Sequence, residues 1–321
     1  MEEVAIGVDI GGTNTVFGLI DRNGKNLGEG SVSTGSYSDI EMFLLALYDQ
    51  INVLISNAEE EIQIKGVGIV APMGNYKRGT IEHAANLPWR GIIPLAESFE
   101  KICRKPVLVT NDANAAAIGE MMFGGAKGMK DFIMITLGTG LGGGVVTNGD
   151  LVYGHDGFAG EIGHIKVDPQ GRICNCGKRG CLETYASATG IKRTVLELLA
   201  DSNKKSELRD ISYNELDAKK IHEEAKKGDQ IALDAFDYTG KILGKVLADC
   251  VAFSNPEAIF LLGGLANAGK YIFDPTKRYM ENNLLTVYKN KVKIQPSKLN
   301  GANAAVLGSS ALVWKELPGS I

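Results

Sequence analysis

The chain has 321 residues, 44% of them hydrophobic, with 34 Lys and Arg against 38 Asp and Glu and a net charge of −4. That length suggests about two domains, and that apolar content can bury a sizeable core, which excludes an intrinsically disordered chain. The slightly acidic balance offers no global field for a nucleic-acid backbone, and the 40 glycines follow no Gly-X-Y period, which excludes a collagen.

Met1-Glu2-Glu3-Val4 enters an apolar run at once, without the basic segment that opens a secretory signal. Val4–Ile10 reads as a buried strand, with Thr15–Asp21 and Leu27–Val32 as two more. Ile40, Phe43, Leu44, Leu47, Ile51, Leu54 and Ile55 recur at helical spacing within Asp39–Asn57. Lys65–Ala71 is a strand, Ile92–Cys103 a helix stopped ahead of Pro106, and Pro106–Thr110 a short strand. Asp112 then caps an Ala-rich helix to about Met122.

Asp131–Leu137 is the next strand, followed by a glycine turn over Gly138–Gly144 and a returning strand over Gly144–Thr147. Helices are expected at Ala188–Ala200, Ala218–Lys227 and Ala232–Phe253. Glu257–Leu262 is a strand ending in Gly263-Gly264, Lys291–Ile294 another, and Asn303–Trp314 a closing helix. Both halves thus open with strand, Gly/Thr turn and strand, and each follows with an Asn-Gly pair (Asn23-Gly24, Asn148-Gly149). This weak repeat at half-chain spacing predicts two related α/β halves with a ligand cleft between them. Phe132–Gly149 is uncharged but rich in Gly and Thr, unlike a membrane helix. The five Cys are an odd set, three of them within Cys174–Cys181, unlike a secreted disulfide framework. A cytoplasmic protein with no membrane or nucleic-acid partner is expected.

Asp9-Ile10-Gly11-Gly12-Thr13 places a carboxylate at a strand end before a glycine turn. Backbone N–H groups at Gly11 and Gly12 can converge on an anion, and Thr13 adds a hydroxyl donor. Asp9 cannot bind phosphate directly and makes sense beside a Mg²⁺ that bridges phosphate oxygens. The denser turn, Leu137 to Gly144, contains a literal G-x-G-x-x-G at Gly138, Gly140 and Gly143. No helix opens on its third glycine, so a dinucleotide site is disfavoured, and no Gly-Lys pair is followed by Ser or Thr, so a P-loop is excluded. Two Gly/Thr hairpin turns, with Gly138, Thr139 and Gly140 in the second, suit the clamping of a triphosphate.

Cys174, Cys176 and Cys181 lie within eight residues, and His164 stands ten positions ahead. Three thiolates and one imidazole make a tetrahedral Cys₃His set for a structural Zn²⁺, with Gly171, Gly177 and Gly180 as turns of the knuckle. Cys103 and Cys250 sit in helical patterns and read as core.

Taken together, the Asp9–Thr13 turn, Asn111-Asp112-Ala113-Asn114, the Leu137–Gly144 turn, Glu161-Ile162-Gly163-His164, the knuckle through Cys181-Leu182-Glu183, and Leu262-Gly263-Gly264 resemble the ROK family of bacterial sugar kinases. Within that family the chain is most similar to the glucokinase branch of the actin/hexokinase-like superfamily. The resemblance implies two actin-like (ribonuclease H-like) α/β domains with an interdomain cleft and a zinc knuckle. It places the smaller domain at 1–117 plus 302–321 and the larger at 118–301. It implies ATP-dependent phosphorylation of glucose at its 6-hydroxyl, with Mg²⁺ and a structural Zn²⁺, in a homo-oligomer, either dimer or tetramer. Asp112 resembles the family's catalytic base and Asn86, Asn111, Glu161, His164 and Glu183 its sugar ligands. His164 would serve zinc with one ring nitrogen and sugar with the other. Gly263 and Gly264 resemble an adenosine-binding turn. Thr110 stands where many members have Glu, and Ala71-Pro72-Met73-Gly74-Asn75 where many have Gly-Pro-Val, so selectivity among hexoses (fructose, mannose, N-acetylmannosamine) is left open. A sugar-sensing regulator or a non-kinase actin-like ATPase are the remote alternatives. The first needs an N-terminal helix-turn-helix arm ahead of Val4, and the second leaves the knuckle unexplained.

Overall fold

The computed structural model describes residues 2–58, 61–299 and 304–317. The chain divides into two compact units, the first Met1–Gly128 with Leu151–Ala159 and Lys298–Ile321, the second Met129–Asp150 with Gly160–Ser297. The first unit therefore runs past residue 117 to Gly128, because the Ala-rich helix packs wholly within it, and it takes back a short segment, 151–159, from the middle of the chain.

The first unit is built on a five-stranded sheet of order β3-β2-β1-β4-β8, from β1 (Glu2–Ile10), β2 (Asn14–Asp21), β3 (Asn26–Ser33), β4 (Ile62–Val70) and β8 (Val107–Thr110). β1 pairs antiparallel with β2 and parallel with β4. The period of two sends Val4, Ile6, Val8 and Ile10 into one core with Phe43, Leu44 and Leu47 of α1 (Ile40–Ser56) and Phe99 of α2 (Leu95–Cys103). Asp39 caps α1 by accepting from the N–H groups of Glu41 and Met42 at 2.8 and 3.0 Å. On the opposite face lie α3 (Asp112–Phe123) and α8 (Ala304–Glu316). Gly7 and Gly68 let α8 rest directly on the sheet, since a Cβ there would fall 2.2 Å from the Val306 carbonyl oxygen and 1.8 Å from that of Ser309. The helix was expected from Asn303, which lies outside the described residues. A three-stranded sheet of β5 (Gly74–Asn75), β6 (Thr80–Glu82) and β7 (Ile92–Ile93) was not expected. Its last strand takes the start of the helix predicted over Ile92–Cys103, and Pro94 separates the two elements.

The second unit repeats the plan. Its sheet has the order β11-β10-β9-β12-β13, from β9 (Phe132–Leu137), β10 (Leu141–Thr147), β11 (Asp150–Leu151), β12 (Ala258–Leu262) and β13 (Lys293–Pro296). β9 pairs antiparallel with β10 and parallel with β12, as β1 does with β2 and β4. Gly142 to Gly144 belong to β10, so the turn is only Gly138 to Gly140 and not the whole predicted run to Gly144. The core joins Ile133, Ile135 and Leu137 to α4 (Ala188–Asp201), α5 (Ala218–Lys226), α6 (Gln230–Ser254) and α7 (Lys270–Asn283). α7 was not expected; it holds Pro275 within it and packs on α6 at Gly240 and Gly244. No described helix is long and apolar enough to cross a membrane.

Candidate active site

In the first unit, β1 ends at Ile10 and the turn to β2 closes through the Gly11 N–H on the Asn14 carbonyl at 3.0 Å. Gly12 passes so close to the Asn86 carbonyl oxygen that a Cβ would lie 2.4 Å from it. That approach brings the turn against the loop carrying Asn86. Arg90 folds this loop back by donating to the carbonyls of Ala84 and Ala85 at 3.0 and 2.9 Å, leaving Asn86 exposed.

The expected cap of α3 is corrected by one residue. Asn111, in extended backbone, is the N-cap, and its Oδ1 accepts the Asn114 N–H at 2.9 Å. Asp112 is the first helical residue, so its carboxylate is released from capping while still sitting at the positive end of the helix. The cap uses only Oδ1 of Asn111, so its amide NH₂ takes no part in it. Asp112 is open to solvent on one side yet surrounded by protein on the others, and that desolvation pushes its pKa up. Asp9 is raised to about 6, first by burial and then by the nearby negative charge of Asp112. Two carboxylates crowded in this way are suited to share a divalent cation or to take up a proton.

The sign of the Asp9 shift gives a testable consequence. Folded Asp9 holds its proton to about pH 6, whereas the unfolded chain loses it near its ordinary value of 3.8. Between these values the folded state binds more protons, so raising the pH costs stability, and the cost is complete above about pH 6. Asp9→Asn is expected to stabilise the protein by on the order of 2 kcal/mol at about pH 8 and by nothing near pH 3. Denaturant unfolding at the two pH values measures it, and equal effects at both would reject this reading.

In the second unit, β9 and β12 are parallel neighbours, so the turns at their ends come side by side. The Leu137 carbonyl accepts the Leu265 N–H at 3.2 Å, and the Gly138 carbonyl accepts the Ala188 N–H at 2.9 Å. A cavity of about 460 Å³ opens beside Gly264, lined by Asp217, Lys219, His222 and Asn267 among others. Of these only Asn267 belongs to a segment singled out in the sequence, the stretch that follows Gly263-Gly264 in the turn resembling an adenosine site. Asp217 is the N-cap of α5, accepting from Lys220 N–H at 2.8 Å, and that alone was visible as a helix start.

The four residues read as a knuckle lie together. The ligand atoms of His164, Cys174, Cys176 and Cys181 all lie within 4.8 Å of one another. Cys176 Sγ is 3.6 Å from Cys181 Sγ, and Cys174 Sγ is 3.8 Å from His164 Nδ1. A tetrahedron with metal–sulfur bonds of about 2.3 Å has edges near ~3.8 Å, so the set fits Zn²⁺. Nδ1 faces the thiols, while Nε2 lies 3.8 Å from Glu161 Oε2. Glu183, in a 3-10 turn directly after Cys181, places Oε1 2.9 Å from Cys174 Sγ and 3.8 Å from His164 Nδ1. Burial raises the Glu161 pKa, His164 opposes the rise and Glu183 adds to it. Arg172, which sequence reasoning passed over, ties the knuckle to α4 by donating to the carbonyls of Thr184 and Gly190 at 2.7 and 3.0 Å, with its guanidinium over the Tyr185 ring.

Comparison with known proteins agrees with this arrangement. The model of the ROK family matches residues 5–316. A glucokinase of Halalkalibacterium halodurans is 37% identical over 97% of this chain and 95% of its own. A glucokinase of Thermotoga maritima is 34% identical over 98% of both. The solved ROK glucokinase of Streptomyces griseus, in complex with glucose and AMPPNP, superposes with a TM-score of 0.78 at 35% identity, over 96% of this chain and 98% of that one. With two repeated sheets, a Cys₃His knuckle and this match over nearly its whole length, the chain belongs to the ROK family.

Proposed function

We propose that the protein phosphorylates glucose with ATP, giving glucose 6-phosphate and ADP. The observation that carries this is identity of 34–37% with glucokinases over nearly the full chain, one close structural relative having been solved with glucose and an ATP analogue. On this reading the two repeated sheets belong to actin-like, ribonuclease H-like domains.

Asp112 accepts the proton of the glucose 6-hydroxyl as that oxygen bonds to the γ-phosphorus and the bond from phosphorus to the ADP oxygen breaks. Its freedom from capping and its raised pKa suit a base that must take a proton and return it. Asn86, Asn111, Glu161, His164 and Glu183 hold the sugar hydroxyls. The Gly12 N–H and the Thr13 hydroxyl, with Gly138, Thr139 and Gly140, hold phosphates, and Gly11 shapes the first turn because its own N–H is spent on the Asn14 carbonyl, while Gly263, Gly264 and the adjoining cavity take adenosine. Asp9 would hold Mg²⁺, which neutralises phosphate charge when bound. His164, Cys174, Cys176 and Cys181 would hold Zn²⁺, which fixes the sugar-binding loop and takes no part in phosphoryl transfer. A cytoplasmic dimer or tetramer goes with this reading.

A coupled assay across a hexose panel, with ATP, ADP and polyphosphate as donors, tests the function. Glucose with ATP is expected to give the highest kcat/KM by about tenfold or more. A higher value for fructose, mannose or N-acetylmannosamine would reassign the substrate, and ATP turnover indifferent to sugar would reject the kinase.

A further inference from the structure

Between β11 and Glu161 the chain forms a loop, residues 152–159, that carries none of the assigned ligands. Val152, Gly154, His155 and Asp156 are exposed, and Gly157 is its buried point. It closes on itself through the Ala159 N–H to the Tyr153 carbonyl at 3.0 Å. The hairpin of β5 and β6 holds it from below. Tyr76 stacks on Tyr153 at 4.1 Å with the rings 10° from parallel. Lys77 donates to the His155 carbonyl at 3.1 Å, and both side chains at that contact are exposed. Asn75 is different, because it is wholly buried. Its Oδ1 accepts the Arg78 N–H at 3.2 Å, which fixes the orientation of the amide. Nδ2 must then face the loop, where it donates to the Asp156 carbonyl at 2.7 Å. Gly157, at φ +87°, lies flat on this amide, and a Cβ there would fall 2.4 Å from Asn75 Oδ1. Shape and hydrogen bonding therefore meet at one buried side chain, where a missing partner costs most.

We propose that Asn75 is a positioning residue for the hexose: by seating this loop it sets Glu161, which follows Ala159 by two residues. The inference rests on the reading of Glu161 as a sugar ligand.

Asn75→Asp is the discriminating change. It keeps the acceptor for Arg78, and hence the hairpin, but turns an oxygen toward the Asp156 carbonyl in place of the donor. KM for glucose is expected to rise by about tenfold, with KM for ATP and kcat within about twofold. Amide hydrogen exchange over 152–160 is expected to quicken by about tenfold or more, with little change elsewhere in the first unit. Asn75→Ala should behave alike, and Glu161→Gln serves as the reference for a lost ligand. If Glu161→Gln raises KM for glucose while both Asn75 variants leave it unchanged, the inference is overturned. Equal rises in both KM values with loss of thermal stability would make Asn75 merely structural and overturn it too. An unimpaired Glu161→Gln would instead remove the reading of Glu161, and the inference with it.

Discussion

Asp112→Asn is expected to bind glucose with near-normal affinity and to lose kcat by a factor of about 10²–10⁴. The shape and hydrogen-bonding reach of the side chain survive, but its ability to take the 6-hydroxyl proton does not. The structure sharpens the test, because Asn111, and not Asp112, caps α3. Neutralising Asp112 therefore removes no cap and leaves the fold intact, whereas Asn111→Ala would cost about 1 kcal/mol of stability. Glucose affinity by calorimetry, turnover by coupled assay and thermal unfolding separate these effects. Near-wild-type turnover in Asp112→Asn would end the assignment of a base. In the unmodified enzyme, kcat is expected to fall on the acid side as Asp112 becomes protonated, at a higher pH than an ordinary carboxylate would dictate, because burial raises its pKa.

Cys181→Ser is expected to have the second large effect. Cys181 is buried, contributes a sulfur to the Cys₃His set, and directly precedes the turn that carries Glu183. Elemental analysis should find about one zinc per chain in the parent protein and much less in the variant. With the metal gone, nothing fixes His164 Nδ1 toward the thiols, and both flanking glutamates lose their frame. KM for glucose should rise by at least about tenfold, with KM for ATP much less affected. A zinc-depleted protein that still binds glucose normally would cut the proposed link between metal and sugar loop.

The strands β1, β4, β9 and β12 were legible because strands flanked by parallel neighbours and buried on both faces read as apolar runs. The knuckle was legible because sulfur and imidazole ligands must lie close in sequence to close a small site. What escaped was set by tertiary contact. α7 was not assigned at all, and its place is set by packing on α6 at Gly240 and Gly244. Gly142 to Gly144 looked like turn because glycine within a strand is indistinguishable from glycine in a loop until the neighbouring chain is known. Arg172, Asn75 and the cavity residues Asp217, Lys219 and His222 are ordinary polar residues in sequence. Their roles arise only from what the fold brings beside them.

The repetition of the sheet carries an asymmetry of charge. Ile10 pairs with Thr15 across the first hairpin, and Leu137 with Leu141 across the second. Aligning these ladders puts Thr136 where the first copy has Asp9. Thr136 spends its hydroxyl oxygen on the Gly142 N–H at 3.1 Å, inside its own hairpin. The two copies of one ancestral-looking turn have thus taken different duties: one holds a fixed anion, and the other is electrically bare backbone. An anion arriving at the first turn needs a cation between itself and Asp9, whereas one arriving at the second meets no opposing charge on the strand end.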